Sequence, residues 1–379
     1  RFARISWDEA LDTVAGELAR VRASYGNGAL FIPYGTGSYS QLNGPLPARR
    51  LLHLYGGCLG YYNNYSWAAI QAATPTVYGT QLTGNDRRDW LNARYILMWG
   101  WNPAEMRDET NSDYYLRLAR ERGARTVCID PRLSLSAAGL ADEWVPIRPG
   151  TDAAMMSAMA YVMIDEGLVD AAFVRTHCSG YDAAQMPPGC EGAESYADYI
   201  LGRRDGVAKT PAWAEAITAV PAATIARLAR EYATIKPGVL YQGYGMQRRA
   251  YGEQVVRAGC ALAAITGNVG IAGGWAGGIA FQPDGGRLGE LFPVGENPVA
   301  ARIPAFLWTE AVRRGTEMGP DDGLVGAARL ESDIKLIYAV ASNCLINQHA
   351  NVNRTAAMLR DERLVECIVV QDNFLTPTA

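Results

Sequence analysis

Short apolar segments that each run into a polar loop recur along this chain, and this pattern restricts the possible folds more than any other feature. The strand-like segments are Ala29–Pro33, Tyr95–Trp99, Arg125–Ile129, Trp144–Ile147, Val239–Tyr241, Leu336–Ala341 and Val365–Val370. Helix-like segments separate several of them, at Ser112–Arg122, Ala153–Asp165 and Gln254–Ile265. Alternation of strands and helices is typical of parallel sheets, whose right-handed crossovers bring the loops after the strands to one edge. The sequence therefore predicts an α/β fold with two doubly wound, mostly parallel sheets that bind ligands at that edge.

The composition excludes several classes of protein. The chain has 379 residues, of which 49% are hydrophobic and 20% charged, as is typical of globular domains rather than disordered or fibrous chains. Its formal charge of -4 disfavours a nucleic-acid binder that relies on neutralising phosphates. The longest apolar stretch, Ala153–Ile164, is too short to span a bilayer. We expect a soluble, mildly acidic enzyme or a piece of one.

Cysteine spacing argues against a metal cluster in this chain. The seven cysteines are scattered and form no C-x-x-C pair of the kind that holds zinc or an iron–sulfur cluster. Cys178 and Cys190 lie in a polar stretch and could either form a disulfide in an oxidising compartment or remain two free thiols. The three histidines are far apart in the sequence, which gives little support to a histidine metal site.

The loop after one strand offers groups suited to a nucleotide. The Asp130 carboxylate could pair with a guanine edge or a ribose, and the Arg132 guanidinium could hold a phosphate with two hydrogen bonds. The alternative is an Asp-Pro-Arg turn with a surface ion pair. Gly35 and Gly243 each begin a Gly-x-Gly sequence without the third glycine of the dinucleotide fingerprint, which disfavours an ordinary NAD-binding domain.

Several motifs, taken in order, resemble a known family. They are Ile5–Leu11, Ile96–Pro103, Asp130–Arg132, Arg148–Ala154, Leu262–Gly270 and Val369–Ala379. Together they resemble the molybdopterin oxidoreductases that carry molybdenum bis(molybdopterin guanine dinucleotide), in particular the catalytic subunits of membrane-anchored dimethyl sulfoxide reductases. This resemblance covers the chain almost from end to end.

The resemblance implies a domain organisation. Residues 1–60 with 236–379 would form a discontinuous α/β domain that binds one guanine dinucleotide, and residues 61–235 an inserted α/β domain that binds the other. An N-terminal domain with a [4Fe-4S] cluster and a C-terminal barrel-like domain are expected to be absent from this sequence. As an isolated fragment, the chain is expected to retain little cofactor and to be inactive.

The resemblance also places the metal ligand at Ser66. In family members that reduce nitrate or oxidise formate, the corresponding residue resembles a cysteine or selenocysteine. A serine oxygen suits an oxo-rich molybdenum and points to reduction of S-oxides and N-oxides. Without the flanking motifs, Ser66 would be interpreted as a serine in a polar loop before a helix. Cys58 is the competing candidate, but it follows a glycine turn ahead of the ligand loop.

Further site residues are implied by the matching motifs. One arm of the cofactor would be bound by Gly100, Asn102, Pro103, Asp130, Pro131, Arg132, Gly150 and Asp152. The other arm would be lined by Tyr34, Gly35, Thr36, Gly37, Gly245, Gln247, Ser342, Asn343, Gln348 and Gln371. Trp67 and Trp101 would flank the substrate funnel at the catalytic centre, or alternatively belong to the core. Backbone N–H groups would satisfy the pyrophosphates, in keeping with the negative net charge.

The resemblance implies a reductase of dimethyl sulfoxide or related S- or N-oxides in anaerobic respiration and electron transport. The alternatives are a selenate reductase or aromatic dehydroxylase of the same family, and a non-catalytic scaffold of a respiratory complex. The family implies an iron–sulfur electron-transfer subunit and a quinol-oxidising membrane anchor as partners, no nucleic acid, and a place in the periplasm or on the outer face of the cytoplasmic membrane.

Overall fold

A computed structural model describes residues 2–35, 44–106, 111–278 and 292–379. The α-helices are α1 Trp7–Tyr25, α2 Pro45–Leu54, α3 Ala68–Tyr78, α4 Pro103–Met106, α5 Ser112–Glu121, α6 Leu135–Leu140, α7 Asp152–Asp165, α8 Ala171–His177, α9 Tyr196–Leu201, α10 Pro211–Thr218, α11 Ala222–Thr234, α12 Gly252–Ile265, α13 Trp308–Arg314, α14 Cys344–Asn347 and α15 Val352–Leu359. The strands are β1 Leu30–Phe31, β2 Gly60–Tyr62, β3 Tyr95–Trp99, β4 Arg125–Ile129, β5 Glu143–Val145, β6 Gly238–Gln242, β7 Arg302–Pro304, β8 Leu336–Val340 and β9 Cys367–Gln371. None of the helices in these ranges combines the length and apolar character needed to cross a membrane.

The chain divides into two compact units. The first unit comprises Arg1–Tyr65 and Arg287–Ala379, and the second comprises Ser66–Gly286. This division differs from the predicted one, which assigned residues 236–286 to the discontinuous domain. The reason is a non-local strand pairing, because β6 pairs with β3 in the sheet of the second unit.

The second unit is built on a four-stranded parallel sheet with the order β5-β4-β3-β6. Trp99 is level with both Ile129 and Gln242, so the carboxyl ends of the three longer strands lie side by side. The chain moves outward from β3 to β4 and β5, and then returns to place β6 on the opposite side of β3. This reversal creates a topological switch point between β3 and β6, where open α/β sheets bind ligands.

Helices cover both faces of this sheet because alternate strand residues point to opposite sides. Tyr95, Leu97 and Trp99 pack in a core with α7, α11 and α12. Ile96 and Met98 pack in a separate core with α5 and α6. The predicted doubly wound α/β arrangement is confirmed for this unit.

The first unit has a smaller parallel sheet with the order β1-β8-β9 and a separate parallel pair formed by β2 and β7. One face of the three-stranded sheet packs against α1 and α2, and the other against α13 to α15. Ser6 caps the amino end of α1, because its hydroxyl accepts a hydrogen bond from the backbone N–H of Glu9. This unit is therefore also α/β with helices on both faces.

The strands predicted at Tyr95–Trp99 and Arg125–Ile129 are confirmed at those bounds. The third strand is shifted, because Glu143–Val145 pairs with β4 and the predicted Ile147 lies beyond it. Cys178 and Cys190, for which the sequence left a disulfide open, are both free thiols.

Candidate functional site

Ser66 lies just before α3 and is held by two consecutive residues of the loop that follows β6. Its carbonyl oxygen accepts hydrogen bonds from Gln247 Nε2 at 2.7 Å and from Arg248 Nε at 2.8 Å. Its hydroxyl Oγ lies 2.8 Å from Arg248 Nη2, which donates to it. Gln247 also accepts from the backbone N–H of Ala69 at 3.2 Å, so its buried amide fixes the start of α3. The polar loop predicted at Ser66 is thus tied to the carboxyl edge of the sheet.

The loops after β3 and β6 touch backbone to backbone at the switch point. A Cβ at Gly243 would lie only 1.9 Å from the carbonyl oxygen of Gly100. Gly100 itself has a φ of +57°, in the left-handed region that favours glycine. A Cβ there would meet the side chain of Met246 at 2.6 Å. An added side chain is therefore excluded from this crossing, where the Gly100 N–H already donates to the Ile129 carbonyl and the Gly243 N–H to the Trp99 carbonyl, each at 2.8 Å.

The loop after β5 approaches the loop after β6. Gly150 has a φ of +81°, and a Cβ at this position would lie 2.2 Å from Arg249 Nη1. Two residues further on, buried Asp152 accepts a hydrogen bond from Trp99 Nε1 at 3.0 Å. Thr151 is the residue before α7, but its hydroxyl donates to the carbonyl of Arg148 instead of capping the helix.

The loop after β4 forms a local turn. Asp130 Oδ1 accepts from the backbone N–H of Arg132 at 2.9 Å, and Arg132 Nη2 lies 2.5 Å from Glu105 Oε2. This is the turn with a surface ion pair that the sequence offered as the alternative, and the nucleotide roles of both residues remain predictions. Pro131 is exposed in the same turn.

The loop after β3 is tied to a neighbouring helix. Asn102 Oδ1 accepts from the Ser136 hydroxyl at 2.6 Å, and Pro103 is the first residue of α4. The amide oxygen of Asn102 therefore fixes this loop against α6, while its backbone stays at the carboxyl edge.

The remaining predicted residues fall on different units. Gly245 and Gln247 lie in the second unit with Gly100, rather than with the loops of the first unit among which they were predicted. The cause is again the pairing of β6 with β3, which carries the loop after β6 into that unit. Thr36 and Gly37 lie outside the described residues.

In the first unit, the loops after β1 and β8 lie side by side. A Cβ at Gly35 would be 2.9 Å from the Cβ of Ser342. Half-buried Tyr34 precedes this contact, and its ring lies 5.8 Å from that of Tyr61. At the sheet edge of the first unit, the Ser342 side chain therefore lies directly against the Gly35 backbone.

The other predicted residues of the first unit surround this edge. Asn343 Oδ1 accepts from the backbone N–H of Thr378 at 2.9 Å, and Gln371 Oε1 accepts from the Tyr338 hydroxyl at 3.0 Å. Gln348 is half-buried at the end of α14. Their roles toward a cofactor stay predictions.

The two tryptophans predicted at the funnel differ in their surroundings. The Trp101 ring is only 4% exposed and stacks on Tyr241 with 3.8 Å between ring centroids. This burial corresponds to the core alternative, because the aromatic cluster of the second unit encloses the ring on the far side of the sheet from α7. Trp67 is half-buried and packs near Ile70 at the start of α3, next to Ser66.

Sequence reasoning missed Arg248 and Arg249, which bring two guanidinium groups to Ser66 and Gly150. The available signal was a pair of cations directly after Gln247, in a loop that ends a strand. The competing ligand candidate Cys58 is buried, and burial raises the pKa of its thiol to about 11. A thiol that keeps its proton at neutral pH is a poor anionic donor.

The Asp152 carboxyl at the carboxyl edge of the four-stranded sheet should make the stability of the protein depend on pH. Burial raises the pKa of the Asp152 carboxyl above its ordinary value, against the opposing effects of Trp99 and Arg249. Because the fold favours the protonated form, the contribution of Asp152 to stability is present below the pKa of the unfolded chain and is lost as pH rises through the folded pKa. We expect Asp152→Asn, which keeps the oxygen that accepts from Trp99, to be more stable than the wild type at pH 7.

Thermal unfolding of both proteins between pH 4 and pH 8 measures this effect. The advantage of Asp152→Asn should shrink as the pH approaches 4, near the ordinary pKa of an aspartate. A constant difference across this range for Asp152→Asn would contradict the assignment.

The donor chemistry fits the cofactor that the sequence predicts. A guanidinium that donates to a hydroxyl oxygen stabilises the anionic form of that oxygen, and an anionic oxygen is the hard donor that suits an oxo-rich molybdenum. Ser66 Oγ, which accepts from Arg248 Nη2 at 2.8 Å, is an oxygen donor of this hard class. The lack of a Cβ at Gly100 and Gly243 allows the two loops to approach each other closely at the switch point, where a ligand of this fold class binds.

Comparisons with known proteins agree with the family that the sequence motifs resemble. A family model described as "Molybdopterin oxidoreductase" matches residues 1–379. The chain is 45% identical over 386 residues to the probable dimethyl sulfoxide reductase chain YnfF of Escherichia coli. It is 45% identical over 395 residues to the dimethyl sulfoxide reductase DmsA of Haemophilus influenzae.

These alignments cover 100% of this chain but 47% and 48% of the two relatives, so the chain spans about half the length of the curated relatives it matches. Among solved structures, acetylene hydratase from Pelobacter acetylenicus matches with a TM-score of 0.61 and 22% sequence identity. That match covers 100% of this chain and 51% of the hydratase, and it supports the fold alone.

Proposed function

The chain belongs to the molybdopterin oxidoreductase family, and from this premise we propose that it is part of a reductase that removes the oxygen atom from dimethyl sulfoxide or a related S-oxide or N-oxide in anaerobic respiration. The observation that carries the proposal is the placement of Ser66, whose Oγ is oriented by a guanidinium beside the switch point of a parallel sheet. The two curated relatives described above are named as dimethyl sulfoxide reductases or probable chains of one.

In this proposal the second unit binds one guanine dinucleotide arm of the cofactor. The loops that cross at Gly100 and Gly243 would face the pyrophosphate, because they lie at the switch point of the sheet. Arg249 would add a positive charge beside Gly150. The Asp130 carboxylate would accept hydrogen bonds from the guanine edge, and its present bond to the Arg132 backbone fixes its orientation.

The first unit would bind the other arm at its own sheet edge. The adjacent loops at Gly35 and Ser342 would supply backbone N–H groups and a hydroxyl. The Asn343 and Gln371 side-chain oxygens are already held by Thr378 and Tyr338, which would keep these amides in place when a ligand binds.

Ser66 would supply the oxygen ligand of the protein to molybdenum. When bound, the molybdenum and its pterins would supply two-electron oxygen-atom transfer. Gln247 would hold the backbone of Ser66. Trp67, which is half-buried next to Ser66, would exclude water from the ligand. The protein's contribution is therefore orientation and a dry environment.

We also propose the partners and location implied by the membrane-anchored reductases that this chain resembles. Electrons would arrive from an iron–sulfur subunit, which in turn would receive them from an anchor subunit that oxidises quinol. The protein would act in the periplasm or on the outer face of the cytoplasmic membrane. Co-purification of the tagged protein with two such subunits from anaerobically grown cells would support this arrangement.

The test of the proposed function is a cofactor and substrate measurement on the protein expressed anaerobically from its gene in its natural length. We expect about one molybdenum and about two acid-released GMP per chain, because each cofactor carries two guanine dinucleotides. With a reduced viologen dye as electron donor, dimethyl sulfoxide and an amine N-oxide should be turned over faster than selenate or an aromatic alcohol. Folded protein with neither metal nor GMP would instead favour a non-catalytic scaffold.

A further inference from the structure

We infer that Arg248 is the positioning residue that sets the side-chain orientation of Ser66. This inference rests on the proposed function, because it concerns the ligand that Ser66 would provide. Arg248 was not among the residues that the sequence motifs implied, and the structure assigns its role through two hydrogen bonds to one serine.

The geometry of these bonds fixes the Ser66 hydroxyl. Arg248 Nε donates to the Ser66 carbonyl oxygen at 2.8 Å, while Nη2 of the same guanidinium donates to Oγ at 2.8 Å. The guanidinium is planar and rigid, so its two N–H groups point in a fixed relation to each other. Because one of them is anchored to the backbone, the other restricts Oγ to one orientation.

Gln247 holds Ser66 in a different way, which makes the two roles separable. Its Nε2 donates to the Ser66 carbonyl at 2.7 Å and to the Tyr244 carbonyl at 2.9 Å, and its Oε1 accepts from Ala69 at 3.2 Å. All three partners are backbone groups. Loss of Arg248 therefore leaves the backbone of Ser66 attached through buried Gln247, while the hydrogen bond from Nη2 to Oγ is removed.

Arg248 can be replaced without disturbing a buried part of the protein. Coordination of Ser66 would replace the Oγ–H bond by a bond from Oγ to the metal, release the proton to water and transfer no electrons, so the step asks of Arg248 only that it orient Oγ. Arg248 is exposed, so its guanidinium is accessible from solvent and can be replaced without leaving a buried unpaired group.

The test uses the holoenzyme with Arg248→Gln and Arg248→Lys. Arg248→Gln should keep wild-type molybdenum and GMP but show fewer oxygen ligands by X-ray absorption at the molybdenum edge, with kcat lowered by about 10- to 100-fold, as for other residues that orient a ligand. Arg248→Lys keeps the charge without the planar fork and should recover part of both losses.

Arg257→Gln is the matched control. Arg257 lies in α12 and, like Arg248, bonds to a residue in or next to α3, since its Nε donates to Thr76 Oγ1 at 3.2 Å. It does not contact Ser66. This variant should match the wild type in cofactor content, oxygen ligands and kcat. It separates a general effect of removing an arginine beside α3 from the specific effect at Ser66.

The outcomes distinguish this inference from the proposed function. Wild-type protein without molybdenum and GMP would overturn the proposed function, and the inference with it. Wild-type protein with the cofactor, together with an Arg248→Gln variant that has the wild-type number of oxygen ligands, would overturn the inference alone. Equal loss of cofactor in Arg248→Gln and Arg248→Lys would also overturn it, because that result indicates a general structural role.

Discussion

Ser66→Ala is expected to lower the reduction of dimethyl sulfoxide by at least about 100-fold, because removing a ligand should cost no less than removing the residue that orients it. Molybdenum and GMP contents should stay close to those of the wild type. The dinucleotide arms would be held by the loops around Gly100 and Gly35, and Ser66 belongs to neither of these loops. The Ser66 backbone would also remain bonded to Gln247.

Two further variants sharpen this experiment. Ser66→Cys replaces a hard oxygen by a softer sulfur, and we expect it to retain metal while reducing S-oxides more slowly than the wild type. Ser179→Ala removes a hydroxyl from an exposed loop, where it donates to the Gln185 carbonyl, and should leave activity unchanged. Full activity of Ser66→Ala with dimethyl sulfoxide would exclude Ser66 as the ligand.

Local sequence predicted the central strands of the second unit because their signal is strong and continuous. Tyr95–Trp99 is entirely buried, so five consecutive apolar residues mark its length without an interruption. In Arg125–Ile129 the last four residues are buried, and the strand is followed by an aspartate that forms a turn. The loops after these strands could then be placed at one edge by the general rules for parallel sheets.

Local sequence patterns could not predict the contacts between distant parts of the chain. Ser66 and Arg248 are separated by 182 residues, and their contact depends on the position of β6 beside β3. The same pairing moved residues 236–286 into the second unit, against the predicted boundary. Trp101 shows a third case, because an aromatic residue after a strand can face either the ligand edge or the core, and here Tyr241 and Trp90 enclose it.

The backbone crossing between β3 and β6 leads to the second large expected effect. Gly243→Ala would place a Cβ 1.9 Å from the Gly100 carbonyl oxygen, whereas real Cβ contacts essentially never fall under 3.0 Å. One of the two loops must therefore move by about 1 Å, and both are anchored at their strand ends, where Gly243 N–H donates to the Trp99 carbonyl at 2.8 Å. Overpacking a rigid backbone contact of this kind should lower the free energy of unfolding by about 3 kcal/mol.

The same displacement should act on the cofactor, because it shifts the Gly100 backbone that would face the pyrophosphate. We expect Gly243→Ala to retain less than about a tenth of the wild-type GMP, since a shift of this size disrupts several oriented hydrogen bonds at once. Gly139→Ala is the control: Gly139 lies in α6 with no atom near its added Cβ, so this variant should be slightly more stable and keep its GMP. Urea unfolding and GMP release on the three proteins measure both effects. If Gly243→Ala bound GMP as the wild type does, the pyrophosphate could not depend on the close crossing of these two loops.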